Sequence, residues 1–184
     1  MKPALAGCLA CAAMLFAGAG SAPGQQPSPY AGEEQRVVKA LSDEERQGLL
    51  EGAGLGYAKA AELNGWPGPL HVIELQETLA LTPNQLQAME SLWQEMKSEA
   101  IPLGRQLVEA ERALDLLFAA GRPSAAEVEA ATANIAALEG RLRAVHLVAH
   151  LRAAPILTRH QTMLYRRTRG YGATHDHGGH TPGD

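Results

Sequence analysis

Leu81-Thr82-Pro83-Asn84-Gln85 and Leu157-Thr158-Arg159-His160-Gln161 are two copies of one short pattern, and the stretch they bracket decides the fold. Each copy has the chemistry of a helix start. The threonine is placed to accept from an orphan backbone N–H three residues on, and the glutamine can reach back to the threonine's own N–H, closing a capping box. Pro83 falls at the first helical position, where its missing N–H costs nothing. Leu81 and Leu86 can form a hydrophobic staple; in the second copy Thr162 replaces the apolar partner, so a weaker helix start is expected there.

Downstream of the first copy, apolar residues stand at 86, 89, 93, 96, 100, 103, 107, 110, 114 and 117, an unbroken alternation of three and four. That spacing predicts one long helix with a coiled-coil-like seam. Pro102 lies inside it and should kink the helix, because the seam continues in phase on both sides. Gly121-Arg122-Pro123 ends the run, and Ser124 with Glu127 opens a second long helix carrying Val128, Ala131, Ile135, Leu138, Leu142, Val145 and Ala149 on one face, with Pro155 at its end. So short a linker requires an antiparallel pair, which brings Glu90, Glu95 and Glu99 near Arg152. Ser42 to Glu45 caps a short helix that ends in glycines 52, 54 and 56, and the turn residues from Asn64 to Pro69 precede another helix over 71–79. The glycine cluster follows a helical pattern rather than a strand, so it is no nucleotide fingerprint.

The doubled LTxxQ motif in a mostly helical chain resembles the Spy/CpxP family of the bacterial periplasm over residues 41–172. The stretch from Ala61 to His71 also resembles a less studied branch of that family. The resemblance implies an all-α fold, a long kinked antiparallel helical hairpin with short flanking helices, joined to a second copy in a cradle-like dimer. It implies an ATP-independent chaperone or envelope-stress modulator, with unfolded or stressed periplasmic proteins or a sensor-kinase periplasmic domain as partners. Two helices alone leave much of the seam uncovered, and each large apolar residue left in water forgoes about 1.5–3 kcal/mol. The flanking helices should cover part of it and a second copy the rest.

Residues 1–22 have the layout of a cleavable signal peptide: Lys2, an apolar run through Phe16, then small residues. The run is too short for a membrane span. Leu5-Ala6-Gly7-Cys8 would pass as a lipoprotein box, but the hydrophobic segment follows it, so export to the periplasm without a lipid anchor is the expectation. Both cysteines, Cys8 and Cys11, would leave with that segment, removing thiol chemistry. Residues 23–40 read as a flexible arm and residues 173–184 as a disordered His-rich tail. At 46% hydrophobic, 20% charged and only 4% aromatic, the chain suits thin helical packing in one domain. A net charge of −4 disfavours nucleic-acid binding.

Candidate chemistry is confined to a few places. His146 and His150 are spaced i, i+4 on the second long helix, a geometry that can chelate Zn, Cu, Ni or Co, with His71, Glu74, His160 or Met163 as possible further donors. Packing or solvent exposure of the pair is the competing reading. The pair lacks the intervening glutamate of zinc proteases, no nucleophile has a paired base, and no enzyme or required cofactor is expected. His175, His177 and His180 form a second, more permissive metal-binding segment. Met89, Trp93, Met96, Leu103 and Leu107 on the seam read either as core or as an adaptable surface for unfolded clients. Arg141, Arg143 and Arg152 belong to a run of seven arginines from 141 to 169 without an acid, either a solvated face or a patch that attracts acidic clients. A metal-binding sensor or resistance protein using the helix and tail histidines is the alternative function.

Overall fold

The computed structural model describes residues 27–171, and the chain divides into two compact units at Ala31 and Gly32. In the first, the Ala31 amide donates to the Ser28 carbonyl across a short turn. The signal peptide with Cys8 and Cys11, and the tail with His175, His177 and His180, lie outside the described residues.

The second unit is all-α: among the described residues there is no strand. The helices are α1 (Asp43–Glu51), α2 (Lys59–Glu62), α3 (Pro69–Glu74), α4 (Pro83–Ala119), α5 (Ala125–Ala153) and α6 (Arg159–Thr168), with 3-10 turns at Glu33–Gln35 and Ala154–Ile156. The kinked 37-residue α4, with Pro102 inside it, and the 29-residue α5 form the hairpin. Four capping boxes start α1, α4, α5 and α6, on Ser42/Glu45, Thr82/Gln85, Ser124/Glu127 and Thr158/Gln161. Both boxes of the repeated motif are complete, so the loss of the staple at Thr162 does not cost α6 its cap. The helix expected over 71–79 starts earlier and ends sooner: Pro69 takes the first helical position, and the chain leaves the helix after Glu74 through turns that end on Ala80 at φ +47°.

The two motif glutamines do more than cap. Gln85 Nε2 donates to Gln161 Oε1 (2.9 Å) and to the Ile156 carbonyl (2.8 Å), while Gln161 Nε2 donates to Gln85 Oε1 (3.1 Å) and to the Leu79 carbonyl (3.1 Å). Each Oε1 also accepts from its own cap amide, Thr82 N–H at 3.0 Å and Thr158 N–H at 2.9 Å. One amide pair thus fastens the start of α4 to the start of α6. Its donors and acceptors are matched, which is what permits Gln161 to be buried.

Around this clasp one core cluster gathers Val72, Leu79, Met89, Leu92, Ala153, Leu157 and Tyr165. A second, farther along the hairpin, joins Val38 and Leu49 to Ala100, Leu103, Leu107, Val108, Ile135, Leu138 and Leu142. The second cluster corrects two expectations. Val38, within the stretch read as a flexible arm, is a core residue, and Lys39 beside it is ion-paired with Asp115. The seam needs no second copy, because α1 and the segment before it cover its middle while α3 and α6 cover its start. Every seam residue from Leu86 to Leu117 is buried or half-buried within the chain. The close fit of α1 on α4 depends on Gly104, where a Cβ would stand 2.0 Å from the Leu49 carbonyl oxygen. The hairpin also brings Arg152 onto Glu95, as the antiparallel pairing requires.

Candidate metal centre

The i, i+4 spacing on α5 brings His146 and His150 to the wall of one cavity of about 460 Å³. Its other walls are the glycine-rich segment after α1, with Gly52 and Gly56 at φ +68° and +81° and Leu55 at φ +42°, the starts of α2 and α3, and Trp93, Met96 and Lys97 of α4. The positive φ at Leu55 is uncommon for a residue with a branched side chain. Its methyls lie against Gly48, where a Cβ would meet them at 2.7 Å.

Both imidazoles are buried, and burial decides their charge. His146 is held neutral with its pKa pushed down to about 4, first by burial and then by the nearby His150. Its ring stacks on Tyr57 with centroids 5.9 Å apart, and its Nε2 is buried without a hydrogen-bond partner. Burial also lowers His150, opposed by its hydrogen bond to the Trp66 carbonyl and by the charge of Glu62. That bond, Nδ1 to the carbonyl oxygen at 3.1 Å, fixes the tautomer. A carbonyl only accepts, so Nδ1 carries the proton and Nε2 keeps a lone pair, the arrangement in which a second-sphere carbonyl orients a metal-ligating histidine.

Glu62 sits beside this pair at the centre of a network absent from the sequence reading. The Tyr165 hydroxyl donates to its carboxylate at 3.0 Å while accepting from the Gly68 amide at 3.2 Å. His71 Nε2 lies 3.7 Å and Arg169 Nε 4.0 Å from the same carboxylate. Burial, more than any other cause, raises the Tyr165 phenol well above its ordinary range, so it stays a donor. Gly68 makes the juxtaposition possible, since a Cβ there would lie 2.8 Å from His150 Cε1 and 3.0 Å from Glu62 Oε1. A glycine between two prolines reads as a turn in sequence, and only the packing shows that its missing side chain is the space between two polar groups.

Of the other donors named from sequence, His71 and Glu74 bond to each other at 2.9 Å, with His71 on the cavity wall, while His160 and Met163 are exposed and do not line it. Among the described residues no group of three or more His, Cys, Asp or Glu side chains is arranged to hold a metal ion. The pair therefore offers two nitrogen donors and an open coordination sphere.

The seam residues divide. Met89, Leu103 and Leu107 are core, at 0%, 6% and 2% exposure, so they form no open binding stripe. Trp93 and Met96 are half-buried on the cavity wall, with the Lys97 ammonium 5.1 Å from the Trp93 ring centre. Arg141, Arg143 and Arg152 are exposed. Among the described residues no helix is long and apolar enough to cross a membrane.

No curated protein and no solved structure matches the chain. A family model described as heavy-metal resistance matches residues 48–163, which is well over half of the sequence and takes in His146, His150, Glu62 and both LTxxQ motifs. The chain therefore belongs to the heavy-metal resistance family, the helical family of Spy/CpxP-like proteins that its paired motifs resemble.

Proposed function

We propose that this protein is an exported, periplasmic, non-catalytic metal-binding protein that senses or buffers a divalent transition metal in heavy-metal resistance. One observation carries the reading: His146 and His150, one helical turn apart, are buried in the neutral form that ligates metals, and the buried Nε2 of His146 has no partner within the protein. A bare ring nitrogen in that position fits a metal ligand, and two imidazoles suit Zn, Cu, Ni or Co better than Mg or Ca. Such an ion would supply Lewis acidity and positive charge. The protein's part is to hold the rings neutral, to orient His150 through the Trp66 carbonyl, and to keep Glu62 nearby as compensating charge. Remaining ligands would come from solvent or from His175, His177 and His180 of the tail.

Calorimetric titration of the purified protein with Zn, Cu, Ni and Co tests this. A sub-micromolar site that disappears in His146→Ala/His150→Ala is expected. Binding that vanishes only on deletion of residues 173–184 would assign it to the tail and overturn the helical site.

Client binding has one observation of its own: Leu116 and Phe118, each 58% exposed, stand at the tip of the hairpin beside the linker between its two helices. If the protein holds unfolded clients there, near-stoichiometric amounts suppress aggregation of a denatured test protein, and Leu116→Ser/Phe118→Ser abolishes the effect. No suppression at tenfold excess would eliminate this reading.

A further inference from the structure

The cavity of about 460 Å³ is much larger than its histidine wall requires. The two or three waters that would complete the sphere of an ion on His146 and His150 take roughly 60–90 Å³. Sites for small organic molecules run from about 300 to 1,000 Å³ and are mostly apolar, with a few polar groups converging on them. The rest of this cavity has that make-up. Trp93 and Met96 of α4 and Leu70 of α3 supply apolar surface, and the glycine-rich segment 52–56 forms the wall after α1.

Its free charge has one sign. Lys59 and Lys97 line the cavity, and among the described residues neither ammonium forms an ion pair. Lys97 is held over the Trp93 ring. Lys59 lies along Gly56, where a Cβ would meet its Cε at 3.1 Å and its ammonium nitrogen at 3.5 Å. The acids on the walls are already engaged: Glu62 by the Tyr165 hydroxyl and Arg169, Glu51 by the Gln47 side-chain amide. Two unpaired ammoniums on one low-dielectric wall attract an anion. The backbone points the same way. Leu55 and Gly56, at φ +42° and +81°, are the central residues of a turn closed by the Tyr57 amide on the Gly54 carbonyl at 2.7 Å. The amides of Gly54, Leu55 and Gly56 donate to no backbone carbonyl among the described residues. Successive amides in such a turn form an anion-binding concavity, and strain at a non-glycine residue gathers at ligand sites.

We infer that this part of the cavity binds a small organic anion, its apolar body against Trp93 and Met96 and its anionic head on Lys59, Lys97 and the amides of residues 54–56. A carboxylate and a phosphate both have the compact, acceptor-rich head that these donors suit. The half-buried Trp93 ring favours a flat body that can lie against it. The site is built from groups other than the two imidazoles, and it does not depend on the metal reading.

Calorimetric titration of the full, metal-stripped chain with naphthalene-2-carboxylate tests this, with the neutral naphthalene-2-carboxamide and with 2-naphthyl phosphate alongside. The carboxylate or the phosphate should bind with a dissociation constant on the order of 10–100 µM, and the carboxamide about tenfold more weakly or worse. Whichever anion binds tighter identifies the head. Lys59→Gln/Lys97→Gln should weaken the anions about tenfold while leaving the carboxamide where it was, with unchanged helical circular dichroism. Trp93→Ala should weaken all three. No binding of either anion up to about 2 mM, or equal affinity for the anions and the carboxamide in the unaltered protein, would overturn the proposal. So would anion binding that is indifferent to loss of both lysines. Binding that appears only after zinc is added would give the anion to the metal ion and would also overturn it.

Discussion

The two ends of the hairpin are built on opposite terms. At the base, where both LTxxQ motifs meet, the glutamine amides, four carbonyl and cap partners and a core from Val72 to Tyr165 close the structure on all sides. At the tip, α4 runs out past Leu116 and Phe118 into Gly121-Arg122-Pro123, and these two large apolar side chains face water. The cavity with His146 and His150 lies on the base side, walled by α2, α3 and the glycine-rich segment. The difference teaches where precision is needed: matched polar groups lock the base at Gln85 and Gln161, while the tip is held by little beyond helix pairing.

That contrast can be broken most severely at the base. Met89→Ala removes a fully buried side chain beside the clasp and should cost about 2–5 kcal/mol in urea unfolding. Lowering the pH should come next. The unfolded chain takes a proton on histidine near 6.5 and folded His146 only near 4, so between those values the unfolded state binds more protons and stability falls as pH falls. The loss should reach about 3 kcal/mol below pH 4 and shrink strongly in His146→Phe. Gln161→Ala leaves the Leu79 carbonyl, the Thr158 amide and the Gln85 amide short of partners, for about 1–3 kcal/mol. Thr82→Ala should cost about 1 kcal/mol, and Thr158→Ala a similar amount, because both boxes are complete. At the tip, Leu116→Ser should stay within about 0.5 kcal/mol. Equal costs for Met89→Ala and Leu116→Ser would erase the distinction between the ends.

Much of the architecture was legible because it rests on local chemistry. Capping boxes, the three-and-four spacing and the short Gly121–Pro123 linker dictate two long antiparallel helices whatever else the chain does. The i, i+4 pair on α5 was equally plain. What covers the seam was not, since Val38 and Leu49 reach α4 across more than fifty residues of chain and no periodicity announces Gly104 as their landing place. The reciprocal bonding of Gln85 and Gln161 was hidden for the same reason: each glutamine explains itself as a cap, so nothing in the motif signals a second duty. Glu62, Gly68 and Tyr165 enter the site from three separate segments, and their role exists only once α6 folds back over α2 and α3.

The central claim is that both α5 imidazoles take one metal ion through their Nε2 atoms. Nitrogen-15 NMR of the histidine rings during zinc addition tests it most directly. The account predicts that the Nε2 signals of His146 and His150 shift together and saturate at one equivalent, while Nδ1 of His150 keeps its proton. Shifts confined to the tail histidines, with the two buried rings unmoved, would contradict it.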